Sequence, residues 1–272
     1  MTEKSFHEVE YAAWLERAGS YDELFSNISA QAIAPILNGL GDLRGKQLLD
    51  AACGTGHLVA AASKRGAISV GIDFSEPMIA VAQANYPGQR FRVADATQLP
   101  YDDASFEAVS CAFGLSHMEF PQKAVQEAYR VLRPGGSLAF TLWYGPDDGA
   151  DLLAITQAAF KRHVTQEVVF PQAWTLVRHA NHEICEQLVK QAGFKDPTFL
   201  RLPIASQSIR AQTVFDVIRK TSVRASRTLE AQSPAVQKRI TEQVLSEIES
   251  RRVDGIITIG WPALLTIAQR PA

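Results

Sequence analysis

Residues 47–56 constrain this chain more than any other stretch. Gln47-Leu48-Leu49-Asp50-Ala51 is a short apolar run stopped by a glycine loop, Ala52-Cys53-Gly54-Thr55-Gly56, and helical periodicity follows from Leu58 to Arg65. A short apolar run of this kind reads as a parallel strand buried on both faces. Strand, glycine loop and helix in that order aim unpaired N–H groups of a helix N-terminus at whatever the loop holds. Glycine at 54 and 56 lets a ligand approach the main chain closely, because no Cβ intervenes. Taken alone, the loop fits a carboxylate, a pyrophosphate or a plain tight turn.

The rhythm continues. Ile68–Asp73 reads as a second strand, and Ser75-Glu76-Pro77 as an N-cap with proline in the first turn of a helix to Asn85. Arg90–Ala94, Phe106–Phe113 and Ser137–Trp143 read as three more strands, with a helix over Gln122–Leu132 ended by Arg133-Pro134-Gly135-Gly136. Strands and helices alternating this way predict an α/β fold with a parallel sheet and helices on both faces. Val9–Leu40 reads as helical before the first strand, making residues 1–44 an N-terminal helical lid. The alternation breaks twice, over 146–183 and 207–252, and resumes between them with a helix (Glu183–Gly193) and a strand (Thr198–Leu202). Trp261–Gln269 closes as a strand. Neither interruption is long enough to bury a core of its own, so residues 1–272 read as one domain with two cap-forming insertions.

Composition excludes several function classes. A net charge of −2 gives no broad basic face for a phosphate backbone, so no nucleic-acid substrate is expected. Three widely spaced cysteines, Cys53, Cys111 and Cys185, form neither a disulfide framework nor a zinc pattern and point to a reducing, cytoplasmic home. No apolar run reaches the ~18 residues of a membrane span, and the N-terminus lacks a signal-peptide block.

The glycine loop takes on meaning from its surroundings. Asp73 ends the second strand, where a carboxylate accepts from ribose hydroxyls. A dinucleotide loop requires a small third position, which here is Val59, and Asp50 would repel a pyrophosphate while suiting a cationic amino group. Asp95-Ala96 follows the third strand, beside where an adenine edge would lie.

Four runs then carry a resemblance: LLDAACGTG (48–56), GIDFSEPMI (71–79), VADATQLPYDDASFEAV (93–109) and YRVLRPGGSLAF (129–140). Together they resemble the class I methyltransferases that use S-adenosylmethionine (SAM), especially the ubiquinone/menaquinone-biosynthesis type and its small-molecule relatives. The resemblance implies a Rossmann-like seven-stranded sheet with its last strand antiparallel, SAM as cofactor and S-adenosylhomocysteine as product. Carried over, Asp50 and the backbone of Ala52, Gly54 and Gly56 would hold the methionine end. Asp73 would bind the ribose, flanked by Phe74 and Met78; Asp95 and the backbone of Ala96 would meet the adenine. Ala112 and Phe113 would sit beside the methionine chain, and Tyr21 of the lid would cover the donor. Ala52 stands where the family often has glycine, and the turn accommodates it if its φ stays negative.

Other residues keep two readings. His117, just past the fourth strand, is either a general base for a hydroxyl acceptor or a packed histidine opening the next helix. His57 either touches the donor carboxylate or simply begins a helix. Phe160, Phe170, Trp174 and Phe215 line an acceptor pocket or form a cap core. His179, His182 and Cys185 lack a fourth ligand, so no metal is expected. No Asn/Asp-Pro-Pro-Tyr/Phe run follows the fourth strand, which argues against methylation of planar base or amide nitrogens. The expected function is O- or C-methylation of a hydrophobic or aromatic small molecule. The rivals are a non-methylating SAM binder, such as a cyclase in natural-product assembly, and an NAD-linked reductase. The oligomeric state, a homodimer included, is left open.

Overall fold

The computed structural model describes residues 5–170 and 179–272. The first helix, α1 (Phe6–Leu24), opens with a capping box: Glu8 N–H donates to Ser5 Oγ, and Ser5 N–H to the Glu8 carboxylate. α2 (Ser26–Ser29) and, after a 3-10 turn, α3 (Ile33–Gly39) lead to β1 (Gln47–Ala51). α4 (His57–Lys64), β2 (Ile68–Asp73), α5 (Glu76–Asn85), β3 (Arg90–Val93) and β4 (Phe106–Ala112) follow. α6 (Pro121–Val131) and β5 (Leu132–Trp143) complete the parallel half.

The remaining elements are α7 (Asp151–His163), α8 (His182–Gln191), β6 (Lys195–Leu202), β7 (Ala205–Ser208), α9 (Ala211–Thr221), α10 (Val223–Glu230), α11 (Pro234–Glu249), β8 (Arg252–Val253), β9 (Ile256–Gly260) and β10 (Ala263–Gln269). The main sheet has seven strands in the order β3-β2-β1-β4-β5-β10-β6, with β10 antiparallel to both neighbours, as the resemblance implied. A second sheet, β7-β9-β8, was not expected. Asp254 and Gly255 both have positive φ and turn β8 into β9, the geometry of a two-residue hairpin.

Because successive strand side chains face opposite ways, the core divides in two. Leu48, Ala108, Ala139 and Leu265 face one way, where they pack with Ile36 and Leu37 of α3 and with cap residues. Leu49, Val109, Leu138 and Leu264 face the other, against α6 and α8. On the cap side, Val236, Ile240, Val244 and Ile248 recur every fourth residue of α11 and are all buried. They belong to the same cluster as the sheet residues, so the cap shares the core of the sheet. The order reverses between β1 and β4, and the crevice at that switch point, outside the strands' carboxyl ends, is where open α/β sheets take ligands.

Candidate active site

The carboxyl ends of β1, β2, β4 and β5 open into a cavity of about 770 Å³, in the upper part of the ~300–1,000 Å³ typical of small-molecule sites. Tyr21, Ala52, Gly54, Asp73, Phe74, Met78, Asp95, Ala96, Ala112, Phe113 and His117 line it. Asp50 and Gly56, expected beside them, are not on its wall. Asp50 is in register with Ser110 of β4, whose hydroxyl donates to Asp50 Oδ1 at 2.7 Å, and is 1% exposed. It precedes the glycine loop at the end of β1 and is covered in this structure. Burial pushes its carboxyl up to about 7; the Ser110 bond opposes this and the nearby Asp73 charge adds to it. Gly56 has φ +87°, and a Cβ there would come within 2.6 Å of the Phe91 ring, so packing as well as conformation requires glycine.

Ala52 departs from expectation: its φ is +57°, left-handed for an L-residue. Gly114 makes room for it, since a Cβ on Gly114 would fall 2.5 Å from the Ala52 Cβ. Phe113 is also left-handed, at φ +63°. Its N–H donates to Thr141 Oγ1 at 3.1 Å, and its ring stacks on Trp143 at 3.7 Å. Strained backbone of this kind gathers at ligand sites.

Asp73 accepts from the N–H groups of Gly54 (3.0 Å) and Ser75 (2.9 Å), which aim it across the loop. Burial raises its carboxyl, and those two bonds offset part of the rise. Asp95 accepts from Thr97 N–H at 2.7 Å, an Asx turn. The loop after it is held by Arg130, which donates to the carbonyls of Leu99 and Tyr101.

His117 ends a 3-10 turn, Leu115–His117. Its Nδ1 lies 3.0 Å from Glu10 Oε2, which also accepts from Trp14 Nε1 at 3.2 Å. A carboxylate only accepts, so Nδ1 carries the proton and Nε2 is the basic nitrogen. Burial raises the Glu10 carboxyl, but the His117 and Trp14 bonds outweigh it and hold it below its ordinary value. His57 begins α4 and bonds Tyr86 Oη (2.6 Å) and Asp22 (3.0 Å), tying the N-terminal helix down. Tyr21 is half-buried among the lid aromatics, 5.6 Å from Trp14 and 5.5 Å from Phe25.

Phe160 and Phe170 line the cavity, whereas Phe215 is buried in the cap core and Trp174 lies outside the described residues. Among the described residues no cluster is suited to a metal, and Cys53, Cys111 and Cys185 are free thiols. Sequence reasoning missed Glu10, Trp14, Trp143, Arg224 and Trp261, all of which line the cavity. Glu10 carried one signal: an acid at helical spacing from Trp14, on the apolar side of α1.

Residues 49–140 match a family described as a methyltransferase domain. Over 120 residues the chain is 41% identical to a demethylmenaquinone methyltransferase of Clavibacter sepedonicus, covering 43% of this chain and 46% of that protein. Over 111 residues it is 42% identical to one from Thermus thermophilus, covering 39% and 50%. The chain thus spans about half the length of these curated relatives. Among solved structures, the [4+2]-cyclase SpnF superposes with a TM-score of 0.61 at 19% identity, covering 100% of this chain and 98% of that one. It shares the fold. Over residues 49–140 the chain therefore carries a methyltransferase domain. Among the described residues no helix is long and apolar enough to cross a membrane.

Proposed function

We propose that this chain moves the methyl group of SAM to a hydrophobic or aromatic small molecule by direct displacement, at oxygen or carbon, with His117 as general base. In this reading the 52–54 loop takes the methionine end, Asp73 the ribose and Asp95-Ala96 the adenine. SAM supplies an activated methyl carbon; the protein aligns the acceptor and excludes water, which contributes up to ~7–11 kcal/mol. The N-terminal helices and the two insertions form one cap over one domain, in the cytoplasm, without a nucleic-acid partner.

The observation that carries the proposal is the continuity of the cavity. Asp73 and Gly54, His117, and the cap residues Phe160 and Phe170 all line it. Glu10 holds the imidazole so that its basic nitrogen is left for an acceptor hydroxyl.

Titration calorimetry with SAM on wild type and Asp73→Asn tests the donor half. Loss of a charge-assisted ribose contact should cost ten- to hundredfold in affinity, on the order of 1.5–3 kcal/mol. Transfer of labelled methyl to hydroxylated aromatics tests the acceptor half, with His117→Gln expected to lower kcat by about 10²-fold or more. SAM binding without methyl transfer to any such acceptor would favour a binding or cyclase role. A folded wild type that binds no SAM would end the proposal.

A further inference from the structure

Arg224 lies in the second cap-forming insertion, at the start of α10, and lines the cavity together with Thr228, four residues on and therefore on the same helix face. Its guanidinium carbon sits 4.8 Å from the centre of the Phe170 ring. Arg44, Arg130, Arg133, Arg219, Arg251 and Arg252 each pair with a carboxylate. Among the described residues Arg224 has neither an ion pair nor a hydrogen-bonded acceptor. Half-buried charge without a partner is costly, and a guanidinium carries five donors in a fork that matches carboxylate and phosphate.

The neighbouring acids are otherwise engaged. Glu10 is the carboxylate whose charge acts on Arg224, but its hydrogen bonds go to His117 and Trp14. Asp73 is held by Gly54 and Ser75, and Asp95 by Thr97. Burial lowers the Arg224 pKa and Glu10 raises it in part; arginine stays charged regardless. Arg224, His117 and Asp73 line the same cavity, and His117 is bonded to Glu10, whose charge acts on Arg224.

We infer that Arg224 anchors an oxyanion on the acceptor, so that the substrate is an apolar or aromatic molecule carrying a carboxylate or phosphate. The ring would pack against Phe170 while the anion takes the free guanidinium fork and the Thr228 hydroxyl. The inference rests on the cavity being the acceptor site.

The test is calorimetry on protein saturated with S-adenosylhomocysteine, wild type against Arg224→Met. The probes are 4-hydroxybenzoate, phenyl phosphate and the neutral methyl 4-hydroxybenzoate. Wild type should bind at least one anion tenfold or more tighter than the ester, and whichever anion is tighter names the class. Arg224→Met should erase that preference, and Arg224→Lys, which keeps the charge and also serves if the Met variant fails to fold, should retain part of it. An ester bound as tightly as both anions, an anion preference that survives in Arg224→Met, or no binding of either anion at millimolar concentration would overturn the inference. So would weakened S-adenosylhomocysteine binding in a folded Arg224→Met, which would assign Arg224 to the donor's own carboxylate. Normal S-adenosylhomocysteine binding beside any of the first three results leaves the methyltransferase reading standing; a wild type unable to bind it removes that reading instead.

Discussion

Asp50→Asn should make the ligand-free protein more stable above neutral pH while weakening its hold on a cationic donor. The Asp50 carboxyl is raised from an ordinary 3.8 to about 7 by burial, against the Ser110 bond and with the help of the Asp73 charge. A carboxyl raised in the folded state binds its proton more tightly there than in the unfolded chain. The resulting stability is fully present below 3.8 and is lost as pH rises to about 7. At 1.36 kcal/mol per pH unit, the full loss at pH 8 is about 4 kcal/mol, of which about 3 falls between pH 5 and 8. Asp73 is raised in the same direction and adds to the slope. Glu10 and Asp22 are lowered, so their contribution is lost only in acid, below this window. Asparagine keeps an acceptor for Ser110 and never ionises, but its amide donor loses ~1–3 kcal/mol if unpaired. The net gain at pH 8 is roughly 2 kcal/mol, or about 4–8 °C in Tm. Thermal unfolding of both proteins from pH 5 to 8, without ligand, measures this. The wild type should weaken with rising pH and the variant much less, while calorimetry shows weaker SAM binding by the variant at pH 8. A variant destabilised at pH 8 with an unchanged pH slope would show that Asp50 is already ionised in the empty protein, and the reasoning would fail.

Glu10→Gln should lower kcat about ten- to hundredfold on a hydroxyl acceptor with little change in KM or S-adenosylhomocysteine affinity, because a neutral amide orients the imidazole poorly; steady-state kinetics beside calorimetry separates these. Ala52→Gly should stabilise the protein by about 1 kcal/mol in urea unfolding, since a left-handed alanine costs ~1–2 kcal/mol and glycine gives back part through chain entropy. Gly114→Ala should cost about 1–3 kcal/mol by crowding the Ala52 Cβ and Cys111 Sγ. Adding Ala52→Gly to it should recover more than the single change gives, the coupling expected of touching residues.

The part of the cavity wall proposed for the donor was legible because it is local. Gly54, Asp73, Asp95 and Phe113 each end a strand or start the loop after it, and period-two and period-3.6 patterns mark where those strands stop. What those residues do in detail depends on partners far along the chain. The sign of φ at Ala52 turns on Gly114, and the burial of Asp50 turns on its register with Ser110. The second sheet escaped notice because β7, Ala-Ser-Gln-Ser, is polar and pairs with β9 across the cap, although Asp254-Gly255 carried the hairpin signal. The part proposed for the acceptor is non-local throughout: Glu10 meets His117 across 107 positions, and Arg224 meets Phe170 from the other insertion.

That division has a mechanistic consequence. The proposed base lies on the turn after β4, while the carboxylate bonded to it belongs to α1, which is also tied down through Asp22 to His57 and through the Trp14 carbonyl to Ser75. Displacing α1 would separate Glu10 from His117 and uncover the cavity in the same movement. In the proposed reaction, a base oriented only while α1 is seated would be oriented only while water is kept from the transferring methyl group, so one set of contacts would serve both requirements.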